Sequence, residues 1–182
     1  MAVDTAEFAL FDTPVGVCAL VWGKRGLRGA YLPEEEPAKT RARLFGRFPG
    51  AVETTPPRHV AEVIDTIRRL MRGEPMDFSW VSLDLSAVPD FNRRVYDFAL
   101  TIPPGETLTY GQVADRIGEP GQAQAVGQAL GANPFPIIVP CHRVVAAGGK
   151  LHGFSAPGGL DTKRKLLALE GSSLKGASLF GG

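Results

Sequence analysis

Cysteine and histidine are scarce in this chain. Two of its 182 residues are cysteines, Cys18 and Cys141, and three are histidines, His59, His142 and His152. They form no CxxC or HExxH spacing, so no metal site is expected. No apolar stretch approaches the roughly 20 residues of a membrane span. The opening residues, MAVDTAEFAL, lack the basic region and apolar core of a signal peptide. A cytoplasmic protein without membrane contact is expected, a setting compatible with free thiols. Net charge is small too, +1 from 20 Lys and Arg against 19 Asp and Glu. It is unevenly spread: residues 1–90 carry 11 basic against 13 acidic side chains, residues 91–182 carry 9 against 6. The mild basic excess of the second half permits nucleic-acid binding without demanding it.

What remains is ordinary globular composition, 44% apolar and 21% charged, in a length suited to one large domain or two small ones. VGVCALVW (15–22) is continuously apolar and valine-rich, which predicts a strand buried on both faces. FALFDTP and LRGAYL read as its hairpin neighbours. In HVAEVIDTIRRLMRG, Val60, Val63, Ile64, Ile67, Leu70 and Met71 share one helical face, and Gly73 marks the end. MDFSWVSLDL (76–85) alternates and predicts a further strand, and SAVPD (86–90) marks a boundary.

The second half reads as mainly helical. FNRRVYDFAL places Phe91, Val95 and Phe98 at helical spacing, and TIPPGE ends that helix. In TYGQVADRIG, Thr109 and Gln112 are spaced as a capping box. After the turn EPGQ, AQAVGQALGAN forms a second helix with Ala123, Val126 and Leu130 facing inward. Two short helices around a Gly-Pro turn suggest a helix-turn-helix. The second carries no Lys or Arg. Its outward residues are Gln124, Gly127, Gln128 and Gly131, small and uncharged, which suits a narrow groove or a tight helix interface.

PFPIIVP (134–140) predicts a short buried strand between prolines, after which Cys141 opens a new segment. A thiol at a helix start would feel backbone N–H groups that lower its pKa, and a thiolate is the nucleophilic form. Neighbouring side chains rarely hydrogen-bond directly, so coupling of Cys141 to His142 would run through a water. His142 would need a carboxylate to orient it, and Glu170 in LLALEG is a candidate. A buried cysteine is ordinarily just a small apolar residue, which is the reading for Cys18. His59, at the start of an amphipathic helix, reads as a surface or capping residue.

PCHRVV, preceded by GANPFPIIV and followed by GGKLHGFSAPGGLDTKRKLLALEG, resembles the O6-alkylguanine-DNA alkyltransferases. The likeness extends back through VYDFALTIPPGETLTYGQVADRIG and covers about residues 90–171. It implies an α+β or α/β two-domain fold. Residues 1–88 would form a small mixed sheet with helices, ribonuclease H-like. Residues 89–171 would form a mainly helical domain like a winged helix-turn-helix, and 172–182 a flexible tail. It implies direct repair without a cofactor, in which a monomer meets double-stranded DNA in the minor groove, flips out the O6-alkylguanine, and keeps the alkyl group on its cysteine in one irreversible turnover.

By this resemblance Cys141 is the acceptor, His142 its base through a water, and Glu170 the residue that orients His142. Tyr110 assists flipping and donates a proton toward guanine, and Asn133 braces the active-site turn. Thr109, Tyr110, Ala123, Gln124, Gly127 and Gly131 fall on the DNA side. Val144, Phe154, Ser155, Gly158 and Gly159 line the base pocket.

The sequence departs from the family pattern in three places. Gln124 replaces the arginine that fills the gap left by the extruded base, and glutamine stacks less well and carries no charge. Phe154 replaces a tyrosine. FSAPGG is two residues longer than the commoner YSGG. The changed flipping residue leaves a second reading, a damage sensor that binds alkylated bases with weak or no transfer. A thiol-dependent hydrolase would require an oxyanion hole and direct Cys–His contact, which the sequence does not indicate.

Overall fold

The structure, a computed structural model, describes residues 3–149 and 158–172. Phe154, Ser155, His152 and nearly all of the expected tail lie outside the described residues. Among those described, a four-stranded sheet has the order β3-β2-β1-β4. It is built from β1 (Glu7–Thr13), β2 (Gly16–Gly23), β3 (Gly26–Tyr31) and β4 (Val52–Glu53). The first three pair antiparallel, with Phe11 opposite Cys18 and Leu20 opposite Ala30, whereas β4 pairs parallel to β1.

Strand alternation explains why VGVCALVW is apolar throughout. Ala19 and Val21 face one side of the sheet with Phe8, where α1 (Pro37–Arg47) supplies Leu44. Cys18, Leu20 and Trp22 face the other, against the apolar stripe of α2 (Arg58–Met71). The expected helix 60–71 is therefore present, with its six named residues all buried.

The strand expected over 76–85 is not formed. Asp77 accepts from the backbone N–H and hydroxyl of Ser79, and its carbonyl accepts from the Trp80 indole. These local bonds close a turn that competes with pairing, and they leave Trp80 49% exposed. Only Leu83 bridges to the sheet, at Leu27. Gly26 permits this approach: with φ +128, its absent Cβ would lie 2.5 Å from the Ser82 carbonyl oxygen.

Beyond the sheet come α3 (Asp90–Ala99), α4 (Tyr110–Arg116), α5 (Ala123–Gly131) and α6 (Gly159–Leu169), with a short parallel pair, β5 (Leu108–Thr109) and β6 (Val144–Val145). The core face of α3 is Val95, Tyr96 and Ala99, with Phe91 and Phe98 only partly buried beside it. Tyr96 ties α3 to α5 by donating to the Ala129 carbonyl at 2.6 Å. Val126, Ala129 and Leu130 form the inward face of α5, while Ala123 is half-buried rather than inward, because it lies in the first turn. One buried cluster runs from the sheet and α2 through these helices to Cys141 and Leu166.

Candidate functional site

Two features of the fold deliver Cys141. The first is the loop after α5. Phe135 and residues 137–140 are buried as expected, yet 134–140 form turns, not a strand. Asn133 takes the place of a ladder: its Nδ2 donates to the Val139 carbonyl at 3.0 Å, and its Oδ1 accepts from the Phe135 N–H at 2.9 Å. Phe135, Ile138 and Val139 can then be buried completely with their backbone groups partly satisfied from within. Ile137 has φ 76, the left-handed region that a β-branched residue avoids. The Ala30 N–H of β3 donates to the Pro134 carbonyl at 2.9 Å and pins this loop to the sheet edge.

The second feature is a single turn of 3-10 helix, Cys141–Arg143, that runs into β6. Cys141 is 7% exposed and His142 is fully buried. Helix α6 packs against this turn and ends at Glu170, whose carboxylate lies between two side chains of the turn. His142 Nε2 is 2.9 Å from Glu170 Oε1. Arg143 makes a forked contact, its Nε 3.0 Å from Oε2 and its Nη2 2.5 Å from Oε1, and Nη1 donates to the Ile102 carbonyl at 2.7 Å. His142 Nδ1 is buried and makes no hydrogen bond among the described residues.

Electrostatics follow from this packing. Burial alone would raise the Glu170 pKa, but the hydrogen bonds from His142 and Arg143 prevail and bring it down to about 2. Glu170 is thus a fixed anion at neutral pH. Burial lowers the His142 pKa against the pull of Glu170, so the imidazole stays neutral. A neutral ring that donates from Nε2 to Glu170 must carry its lone pair on Nδ1. The expected lowering of the Cys141 pKa is not found. Burial raises it, opposed by the Asn133 side chain, the charge of Lys163 and nearby backbone N–H groups. A three-residue turn has too few aligned peptides for a strong dipole, so desolvation prevails.

The remaining sequence-predicted residues fall around this centre. Thr109 caps α4, with its hydroxyl accepting from Gln112 N at 3.1 Å and Gln112 Oε1 accepting from Thr109 N at 2.8 Å, the expected capping box. Tyr110, the first residue of α4, is half-buried, and its phenol is held protonated chiefly by burial. A Cβ on Gly127 would lie 3.8 Å from the Tyr110 ring, so α5 and Tyr110 pack closely. Gln124, Gln128 and Gly131 are exposed on α5. Val144 is buried in β6, paired with Leu108. Gly158 (φ 82) and Gly159 start α6, and a Cβ on Gly158 would collide with the Thr162 hydroxyl. Among the described residues no cluster of His, Cys, Asp and Glu could hold a metal ion, and no helix is long and apolar enough to cross a membrane.

Two members of the site were not assigned from sequence. The structure commits Arg143 to Glu170. Lys163 is 1% exposed and donates to the Val144 carbonyl at 2.7 Å. Its signal was the spacing Lys163, Leu166, Leu167, Glu170, one stripe of a helix with a charge at each end.

Comparison with known proteins gives consistent results. Residues 90–172 match the family model described as the 6-O-methylguanine DNA methyltransferase DNA-binding domain. A Mycobacterium bovis protein named methylated-DNA–protein-cysteine methyltransferase is 42% identical over 169 residues, 91% of this chain and 93% of that one. A Methanosarcina acetivorans protein of the same name is 49% identical over 170 residues, 91% of this chain and 98% of that one. In structure, Mycobacterium tuberculosis OGT in complex with DNA superposes with a TM-score of 0.73 at 39% identity, covering 91% of this chain and 92% of that one.

Proposed function

Because this chain belongs to the methylated-DNA–protein-cysteine methyltransferase family, we propose that it reverses DNA damage directly, moving the alkyl group of an O6-alkylguanine in duplex DNA onto Cys141 in one irreversible turnover. The observation that carries this reading is the buried line of groups behind the thiol: a neutral His142 with an available Nδ1, fixed from its far side by an anionic Glu170. Nδ1 takes the thiol proton through a bridging water. The Sγ–carbon bond forms as the carbon–O6 bond breaks, and the electron pair stays on guanine, which takes a proton from Tyr110. The product thioether has no charge and no route back, which makes the protein a single-use reagent.

The DNA side of the reading rests on α4 and α5 acting as a helix-turn-helix within a winged domain over residues 89–171. The sheet domain, 1–88, is ribonuclease H-like. An α5 face of Gln124, Gly127, Gln128 and Gly131 suits the minor groove, where small residues allow close approach. The structural relative in complex with DNA supports this partner. Gln124 stands at the flipping position, where it can hydrogen-bond the orphaned cytosine. Asn133 holds the loop before Cys141, and Val144, Phe154, Ser155, Gly158 and Gly159 form the base pocket. A cytoplasmic monomer fits the composition.

The test is intact-protein mass spectrometry after incubation with a duplex carrying one O6-methylguanine. The expected result is a gain of one methylene, mapped to Cys141 and saturating at one per chain. Selective binding of the duplex with no mass gain would replace this function with that of a damage sensor.

A further inference from the structure

The loop before Cys141 contains Pro134, Pro136 and Pro140, and these prolines decide where it can bend. The ring of Pro136 fixes its own φ at a negative value. Phe135 and Val139 each precede a proline, which biases both toward extended backbone. The chain nonetheless reverses between them, since the Val139 N–H donates to the Phe135 carbonyl at 2.9 Å. Only Ile137 and Ile138 are left to absorb the reversal, and Ile137 takes it with φ 76. It is the one residue other than glycine with a positive φ among the described residues.

A β-branched side chain raises the cost of that conformation, and glycine would remove it. Ile137 is instead 3% exposed, inside the same buried cluster as Cys141. Burial of a side chain of this size is of the same order as the strain, so the packed side chain holds the backbone where it would not stay by itself. The consequence lies two residues on. The Val139 carbonyl accepts from Asn133 Nδ2 at 3.0 Å and from the Cys141 N–H at 2.8 Å. The second bond spans Pro140, whose φ −79 and ψ 65 are those of an inverse γ-turn. The Arg143 N–H then donates to the Pro140 carbonyl at 2.9 Å and starts the 3-10 turn. The direction of the Val139 carbonyl therefore sets the Cys141 backbone, and the reversal at Ile137 sets the direction of that carbonyl.

We propose that Ile137 is a positioning residue for the nucleophile: its left-handed backbone, kept closed by a buried side chain, holds the turn that aims Cys141 Sγ at the alkyl carbon. The role in transfer rests on the reading above. Attack in line with the breaking carbon–O6 bond tolerates little misplacement of the sulfur. Ile137 touches no substrate and acts through the Val139 carbonyl. Asn133 does not suffice, because its amide meets that carbonyl only while the reversal at Ile137 brings it back. The other end of the loop is fixed independently, by the bond from the Ala30 N–H to the Pro134 carbonyl. A change of φ at Ile137 therefore swings the Cys141 end.

The test compares two truncations. Ile137→Ala removes the buried side chain and keeps the strain. Ile137→Gly removes one carbon more and abolishes the strain. Transfer at a saturating O6-methylguanine duplex, read by intact mass, should fall about a hundredfold in Ile137→Ala, the cost of a misplacement of about 1 Å. Ile137→Gly should recover most of it. Hydrogen exchange at the Cys141 amide, which needs no DNA, should follow the same order and be fastest in Ile137→Ala. Ile67, buried in α2, is the control: in ordinary helix, Ile67→Gly should be less stable than Ile67→Ala. A glycine at 137 that is worse than alanine in rate, exchange or folding follows packing alone and overturns the proposal. If the exchange order holds and not even the parent gains a methylene, the repair reading falls and the hold of Ile137 on the turn stands. Should neither variant fold, as judged by its circular dichroism melt, NMR of the unsubstituted protein decides. Backbone couplings should give Ile137 a positive φ, and the Cys141 amide should exchange no faster than amides of the core strands. A negative φ, or a Cys141 amide that opens by itself, overturns the proposal.

Discussion

The two cysteines differ in little that sequence composition records, and both are buried, yet their surroundings oppose each other. Cys18 lies in the middle of β2, 1% exposed, and burial pushes its pKa up to about 12 against one weak polar neighbour, the Thr13 hydroxyl at 4.0 Å. Cys141 is almost as buried, and burial raises its pKa too, but an amide side chain, a lysine and backbone N–H groups all oppose the rise. Burial by itself makes a thiol inert. Reactivity requires a protein to enclose the sulfur and also to supply groups that favour its anion. Asn133 and, from helix α6, Lys163 share the second task.

The largest effect that can break this comparison comes from exchanging the two thiols. Cys141→Ala should abolish alkyl transfer, read as the mass gain with an O6-methylguanine duplex, while binding of the duplex persists. Cys18→Ala should leave the transfer rate unchanged and affect only the packing of β2 against α2. Transfer that survives Cys141→Ala would remove the asymmetry altogether.

Glu170→Gln should be next. It removes the buried anion, leaves the Arg143 guanidinium enclosed without a counter-charge, and should cost about 3–5 kcal/mol in chemical denaturation. It also removes a pH dependence. The Glu170 pKa falls from 4.5 to about 2 on folding, so its contribution is complete above pH 4.5 and is lost as pH falls toward 2. Acid unfolding of the parent should include this window, and the variant should be flatter across it. The pH profile of Cys141 alkylation by iodoacetamide should also move, because His142 loses the partner that fixes its tautomer. An unchanged profile would detach Glu170 from Cys141.

How far these differences were legible depended on whether they were local. The apolar run of β2 and the stripe of α2 show their periods directly, and the box at Thr109 and Gln112 is a spacing rule satisfied within one turn. Residues 76–85 alternate as a strand would, but the Asp77 side chain captures its own neighbours. Residues 134–140 are apolar enough for a strand, but the Asn133 amide supplies the bonds that a partner strand would. Cys141, His142 and Glu170 were candidates from their chemistry, the resemblance assigned their roles, and the structure brings them to one place. Arg143 and Lys163 escaped because charged side chains are usually at the surface, and only tertiary packing shows that α6 encloses both.

Gln124→Arg sharpens the comparison from outside the thiol. Gln124 is exposed on α5 and takes no part in the hydrogen bonds around Cys141. An arginine there should speed repair of an O6-methylguanine duplex severalfold, since a guanidinium stacks better in the gap left by the flipped base. Reaction with free O6-benzylguanine, which needs no flipping, should stay the same. Equal acceleration of both would place Gln124 in the chemistry of the sulfur instead.

The smallest effect belongs to the inert thiol. Thr13 Oγ1 donates to the Gly16 carbonyl at 2.6 Å and accepts from the Val15 N–H at 3.3 Å, closing the β1–β2 turn beside Cys18. Thr13→Val removes these bonds at a partly exposed site, so the melt should shift by the equivalent of about 1 kcal/mol. It also removes the one side chain that draws the Cys18 pKa down. Cys18 should therefore stay unmodified by iodoacetamide at every pH at which Cys141 reacts, and the alkyl-transfer rate should not change. A Cys18 that becomes reactive would mean that strand pairing, not desolvation, keeps this thiol inert. In that case burial would not be what Asn133 and Lys163 must overcome at Cys141.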